Sequence, residues 1–444
     1  MIDVSALLDH ASRFLAAGSW DREFLAQHVD ARLANPDTVA IVADQQPALG
    51  GGPLYTLAKA AQAVAMAQAL SAAGRPAVPV FWCASEDHDL GEAAHADLID
   101  RHGQVHRVTA NFGPGRASLR FRAAAAGWPE LLAACHRHLG PGPGEAFWLA
   151  LAPQPDEALG AWQCRWLKAL LPALATVEGH RLRPTWTGAL TTALTAWPAT
   201  ELEAQRQRLL AAGQPDAFGP LTSAPLFADR SSARSRLAPD EALALLAQDP
   251  GVLSPGAALR PVLQQAALPA LAAVLGPGER AYHQFILPLY AALNQPLPAF
   301  LPRAPVVWWP TWAERAARKR GLAPGSIPVD PAAEISSDDT LAIDLMAWQA
   351  RAAAAANSRR HLGAVARRAG HLIEQTRRAL AREQQAQSGV ASLTHLANWL
   401  HPRRQPQDRT MACIQVIWEA GPAWAERLTL VQGSAPDGYA ALVT

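Results

Sequence analysis

The stretch VAIVADQQPALGGGPLYTLAK, Val39 to Lys59, read together with VPVFWCASEDHD, Val78 to Asp89, decides the fold. Val39 to Ala43 is a short apolar run that enters a loop from Asp44 to Pro53 containing Gly50, Gly51 and Gly52. From Pro53 to Ala73 the chain carries strong helix formers with no internal breaker, and Pro53 falls where a first helical turn tolerates a missing N–H. Val78 to Trp82 is again apolar and β-prone, and it ends abruptly in Ser85, Glu86, Asp87, His88 and Asp89. Strand, glycine loop, helix and strand make one βαβ unit, whose right-handed crossover leaves the 44–53 loop and the 85–89 cluster on the same edge of the sheet. Ligands of open α/β sheets sit beyond the carboxyl ends of the strands, so the expected fold class is α/β and this edge is the expected site.

Composition sets the bounds. A chain of 444 residues, 50% hydrophobic, suits two or three domains with a large core. No apolar run approaches the ~18–20 residues of a membrane-spanning helix, and the start MIDVSALLDH lacks the basic and apolar regions of a signal peptide. A soluble cytoplasmic protein with no membrane partner is expected. Cys83, Cys135, Cys164 and Cys413 have no CxxC spacing, which argues for small buried hydrophobes rather than a disulfide framework or a zinc site. A net charge of +1 gives no global field for nucleic acid. Only Lys59, Lys168 and Lys319 are lysines, so the many arginines reflect a compositional bias and are not read as phosphate recognition.

Along the chain, residues 1 to 38 are helical in pattern, and Val105 to Thr109 is a further strand candidate. From 111 to 335 short helices alternate with proline-rich connections. The regular stretch Leu259 to Leu293 is broken by Gly276, Pro277 and Gly278, followed by Glu279. That turn brings a carboxylate beside backbone N–H groups, either as a ligand contact or as a solvated helix terminus. In the 339–387 region Leu362, Val365, Ala369, Leu372, Thr376 and Ala379 follow 3,4 spacing, the pattern of a long helix or helical hairpin that packs on its own chain or on a partner subunit. Arginine pairs there have no interleaved aromatics, so nucleic-acid binding is not expected. The expected division is 1–335 as core, 336–390 as helical segment, and 391–444 as a tail folded back on the core.

The polar cluster allows three readings. Asp87, His88 and Asp89 could ligate a divalent metal for hydrolysis, although consecutive residues at a strand end point in opposite directions. His88 could act as a general base oriented by Asp87 or Asp89, with the glycine loop and the helix start after Pro53 holding an anion. Or the cluster is a capping turn. Neither GxGxxG nor GK[ST] is present, so the loop is not a dinucleotide fingerprint or a P-loop.

Taken together, four blocks resemble one family, the bacillithiol biosynthesis cysteine-adding enzymes (BshC). ADQQPALGGGPLYTLAK (Ala43 to Lys59) and PVFWCASEDHD (Pro79 to Asp89) are similar to the family's TGQQPGLxGGPLYTxxK and PVFWxAxEDHD. LSPGAALRPVLQQ (Leu253 to Gln265), LGPGERAYHQ (Leu275 to Gln284) and PLPAFLPR (Pro296 to Arg303) resemble its third block, and LHPRRQPQDR (Leu400 to Arg409) its carboxyl-terminal one. The resemblance implies a Rossmann-like core with connecting subdomains and an α-helical coiled coil, shortened here, that pairs subunits into a homodimer. It implies a cysteine ligase that joins L-cysteine to glucosaminyl malate through an amide bond, the last step of bacillithiol synthesis. A free carboxylate is a poor acyl donor, so ATP or ADP is the expected nucleotide, with no metal beyond a nucleotide-bound Mg. The implied roles are catalysis for His88, Asp87, Asp89 and Glu86, and substrate or nucleotide binding for Gln45, Gln46, Gly51, Gly52, Tyr55, Arg260, Gly278, Glu279, Tyr282 and Arg303. The alternatives are a non-catalytic homologue that binds a nucleotide or sugar acid, and a metal-dependent hydrolase.

The departures are specific. The family's glycine before QQ is Asp44, a loop glycine is Ala48, an asparagine is Gly256 and an aspartate is Gln265. Asp44 and Ala48 are expected to stiffen the loop, and Asp44 to repel an anion beside it.

Overall fold

The computed structural model describes residues 4–319, 321, 322, 327, 371, 374, 375, 378, 390–434 and 440–443. The chain divides into two compact units, one of Met1–Asp100, Val105–Trp309 and Gln407–Thr444, the other of Arg101–Gln104 and Pro310–Pro406. The helical segment expected at 336–390, and the subunit pairing it implied, lies outside the described residues except at 371, 374, 375, 378 and 390.

The strands of the first unit are β1 (Val39–Gln45), β2 (Ala77–Cys83), β3 (His95–Ile99), β4 (Val105–Thr109), β5 (Ala175–Glu178), β6 (Leu226–Asp229), β7 (Arg234–Arg236), β8 (Leu253–Pro255), β9 (Ala270–Leu275), β10 (Ala299–Pro302), β11 (Val306–Trp309) and β12 (Ala440–Val443). Five of them form a wholly parallel sheet in the order β10-β9-β1-β2-β5. The chain lays down β1, β2 and β5 toward one edge, then returns to place β9 and β10 on the other side of β1. This is the strand order of a Rossmann-like half, and the reversal falls between β1 and β9.

The sheet follows from the sequence. Val39 to Ala43 and all of β2 are buried, as strands covered on both faces must be, while Asp44 and Gln45 emerge half-buried at the carboxyl end of β1. The register runs from Val39 opposite Ala77 to Gln45 opposite Cys83, so both strands end at one level. The crossover helix Tyr55–Ala72 buries residues all round, including Ala58, Ala60, Ala61 and Ala63. Its small side chains let it pack on several sides at once, and it therefore lacks a single apolar stripe.

Val105–Thr109 is a strand, paired antiparallel with β3 outside the central sheet. Strands β6, β7 and β8 form a small antiparallel sheet in the order β7-β6-β8, and β11 pairs in parallel with β12. The stretch Leu259 to Leu293 resolves into the helix Arg260–Ala267, strand β9 and the helices Pro277–His283 and Leu287–Ala292. In the second unit, the helices Thr311–Arg318 and Val390–Leu400 meet through Trp312, which stacks on His395 at 4.8 Å and stands edge-on to Trp399 at 5.1 Å.

Candidate active site

A cavity of about 300 Å³ opens at the carboxyl ends of β1 and β9, where the strand order reverses. The end of strand β1 supplies Asp44 and Gln45 to its wall and Gln46 follows them, the turn after β2 supplies Ala84 and Asp87, and the turn after β9 supplies Gly276 to Glu279. Tyr55 and Lys59 come from the crossover helix, and Glu92, Arg260, Tyr282, Arg303 and Arg409 complete the lining. Its size lies at the small end of ligand pockets.

Lys59 ties the two sides of the reversal together. Its side chain is buried, and Nζ donates to the Asp44 carbonyl at 2.8 Å, to Gln45 Oε1 at 3.2 Å and to Glu279 Oε1 at 2.5 Å. The second oxygen of Glu279 accepts from the Gly276 N–H at 2.6 Å and so caps the helix Pro277–His283. Glu279 thus holds the turn after β9 while presenting its carboxylate beside β1. At Gly278 an added Cβ would meet nothing within 4 Å, so the backbone there faces open space.

The other walls carry opposite charges. Arg260 Nη1 lies 3.6 Å from Asp87 Oδ2. Burial pushes the Asp87 carboxyl up, but Arg260, the His88 N–H and Arg234 outweigh it and the net shift is downward. Gln46 Nε2 donates to Glu92 Oε2 at 2.9 Å. Burial, then Asp89 and Asp87, raise the Glu92 carboxyl. Arg303 pairs with buried Asp408, and its guanidinium lies 5.4 Å from the Tyr55 ring centre. Burial chiefly pushes the Tyr55 phenol up to about 12, so it stays a neutral hydrogen-bonding group.

The five-residue cluster after β2 does not act as one unit. Glu86 is buried away from the cavity and pairs with Arg183, which also reaches Asp229 at 3.1 Å, while Arg120 Nε lies 2.7 Å from the same Asp229 oxygen. Glu86 belongs to a desolvated ion cluster, because the chain turns inward at Ser85 before Asp87 returns to the cavity wall. His88 lies outside the cavity lining, with Arg116 Nη2 3.0 Å from Nε2 and Arg234 Nη1 3.3 Å from Nδ1. The nearest carboxylate oxygen, Asp87 Oδ1, is 3.8 Å from Nδ1, so the ring is bracketed by guanidinium groups and not held by Asp87 or Asp89. Burial and then Arg234 push its pKa down, which keeps the imidazole neutral at pH 7. Asp89 caps the short helix Leu90–Ala93 by accepting from the Glu92 N–H at 3.2 Å. Asp87, His88 and Asp89 therefore do not converge on one point, and among the described residues no group of three or more His, Cys, Asp or Glu is placed to hold a metal ion.

The glycine loop also differs from expectation. Gly51 and Gly52 do not line the cavity, and their N–H groups donate to the carbonyls of Ala48 and Leu49. At Gly51, with φ +83°, an added Cβ would lie 2.7 Å from Trp166 Cζ2, so glycine here serves close packing. Ala48 has an extended backbone, φ −149°, that alanine adopts freely, so it does not stiffen the loop. At the helix start, the Leu54 N–H donates to the Met411 carbonyl instead of remaining open for an anion.

Of the residues singled out from sequence, Gln45, Gln46, Tyr55, Asp87, Arg260, Gly278, Glu279, Tyr282 and Arg303 share the cavity wall. Lys59, Glu92 and Arg409 were missed. Lys59 had a signal: it is the lone charged residue in a helix otherwise built largely from alanine, in a chain with few lysines.

Residues 15–141 and 226–304 match the family profile described as bacillithiol biosynthesis BshC, N-terminal Rossmann-like domain. Curated relatives carry the name putative cysteine ligase BshC. The chain is 31% identical over 305 residues to one from Solibacter usitatus, covering 61% of this chain and 55% of the relative. It is 26% identical over 360 residues to one from Heliobacterium modesticaldum, covering 73% and 65%, and 27% identical over 443 residues to one from Koribacter versatilis, covering 90% and 82%. The matched stretch thus spans 55% and 65% of the first two relatives' own length. The stretch that is similar to this Rossmann-like domain carries the cavity wall from β1 to β10, and there the chain resembles the BshC proteins.

Proposed function

We propose that the chain is a ligase that joins the carboxylate of L-cysteine to the amine of glucosaminyl malate, the last step of bacillithiol synthesis. The observation that carries this reading is the cavity at the strand reversal, whose wall sets carboxylates (Asp44, Asp87, Glu92, Glu279) beside cations (Lys59, Arg260, Arg303, Arg409). A zwitterionic amino acid and an amino sugar bearing a diacid both need that mixture. When bound, a nucleoside triphosphate supplies the activation that a free carboxylate lacks. Arg260, Arg303 and Arg409, with the open backbone at Gly278, fit its negative charge.

The attacking amine must lose a proton. Glu92, a cavity carboxylate raised by burial and by its acidic neighbours, is the proton acceptor, because its elevated pKa strengthens it as a base. His88, neutral between Arg116 and Arg234, is assigned to positioning those guanidinium groups. Glu279, fixed by Lys59, orients the amine-bearing substrate.

The test is mass spectrometry of full-length protein incubated with L-cysteine, glucosaminyl malate, ATP and Mg²⁺. Formation of the cysteinyl amide is expected, with Glu92→Gln slowing it and His88→Ala retaining it in part. Product formed equally well by Glu92→Gln removes the proton-acceptor assignment, and no amide with any nucleoside triphosphate ends the ligase reading. The homodimer proposed from the helical segment predicts a light-scattering mass of twice 47.3 kDa.

A further inference from the structure

Pairing the charges of the cavity leaves a remainder. Lys59 has three N–H bonds, and the Asp44 carbonyl, Gln45 and Glu279 occupy all of them. The Asp44 carboxylate lies 3.9 Å from Nζ with no proton of Lys59 left for it, and it accepts no hydrogen bond among the described residues although its side chain is only 18% exposed. Arg260 is paired with Asp87 and Arg303 with Asp408, and Arg260 reaches Asp44 only electrostatically, from beyond ion-pair distance. Glu92 accepts a hydrogen bond only from the neutral amide of Gln46, with the Arg409 guanidinium acting on it from beyond ion-pair distance. Arg409 makes no hydrogen bond or ion pair among the described residues. Two carboxylates and one guanidinium therefore remain, an excess of negative charge on the cavity wall. A half-buried carboxylate without a hydrogen-bond donor costs free energy that a ligand cation recovers.

We propose that the Asp44 carboxylate is a specificity-determining contact that receives a primary ammonium group of the bound ligand. Asp44 stands at the carboxyl end of β1, in the cavity wall. The inference rests on the cavity being the substrate site proposed above. Two sources of the ammonium fit, the α-amino group of an amino acid and the amine of an amino sugar.

Calorimetry on the full chain separates them, using wild type, Asp44→Asn and Asp44→Gly. Each amine is compared with a counterpart lacking it: L-cysteine with 3-mercaptopropionate, and glucosamine with glucose. Both variants are expected to weaken at least one amine roughly tenfold or more while leaving its amine-free counterpart unchanged. A loss for cysteine assigns the α-ammonium, and a loss for glucosamine assigns the acceptor amine. Agreement between the two variants guards against a folding defect in either. The inference is overturned by unchanged amine affinity, by equal losses for a ligand and its amine-free counterpart, or by a wild type that prefers the amine in neither pair. Amide formation, followed separately, reports on the ligase reading. Asp44-dependent amine binding without amide would end that reading and keep the ammonium contact, whereas amide formation with Asp44-independent binding would do the reverse.

Discussion

The cavity at β1 and β9 and the ion cluster built on Glu86 draw on the same short segment, Ser85 to Asp89, yet they treat charge in opposite ways. In the cluster, Arg183 serves both Glu86 and Asp229, Arg120 adds a second cation to Asp229, and every one of these side chains is largely withdrawn from water. In the cavity, cations and carboxylates line an open wall and some lack a partner. The difference teaches that acidity in a motif does not identify a reactive group; what does is whether the fold leaves that charge unmatched and reachable. A buried ion pair costs much desolvation and holds geometry, whereas an exposed, unmatched charge is free to meet a ligand.

Breaking the cluster should have the largest effect and should leave the cavity alone. Arg183→Met strands Glu86 and Asp229 without their shared cation, and urea unfolding should show a loss of about 3–5 kcal/mol with ligand affinity of the folded fraction unchanged. If affinity falls as well, the two regions are coupled and the contrast fails.

Glu419 sharpens the same contrast, since it is a buried carboxyl whose hydrogen-bond donors, Gln415 and Trp308, are both neutral. Burial pushes it up to about 7 from 4.5. Between those values the folded state holds a proton that the unfolded state has released, so stability should fall as pH rises from 4.5 to 7 and then level off. The drop is about 3 kcal/mol. Urea denaturation across that range should show this slope in wild type, and Glu419→Gln should flatten it.

Lys59→Met tests the cavity side. It removes the one donor group shared by Gln45 and Glu279, and the expected cost is about 2 kcal/mol of stability together with weakened cysteine binding. Lost stability with intact binding would reduce Lys59 to a packing element. The smallest effect is reserved for Asp89→Ala, which deletes a helix cap at about 1 kcal/mol and should leave binding untouched.

The βαβ unit was legible because its apolar runs are contiguous and its helix has no breaker. Strand β9, ALAAVL, was not, since alanine favours helices in isolation and only burial between β1 and β10 makes it a strand. Strand β5 spans only Ala175–Glu178 and gives no periodic signal of its own. For the site, the end of β2 marked the correct edge of the sheet. Which of Glu86, Asp87, His88 and Asp89 faces the cavity could not be read, because partners arrive from far along the chain. Arg183 lies 97 residues beyond Glu86, and Glu279 lies 220 beyond Lys59.

One long-range closure sets a schedule for the ribosome. The segment Met411 to Cys413 seals the start of the crossover helix: the Leu54 N–H meets the Met411 carbonyl, and the Cys413 thiol reaches the Pro53 carbonyl across 360 residues. Arg409, two positions earlier than Met411, completes the cavity wall. The first βαβ unit is therefore synthesised early but sealed late, and the site matures only once residues 409–413 have emerged. Non-local closure of this kind slows folding. Until then the nascent chain carries a glycine loop whose closing contacts do not yet exist.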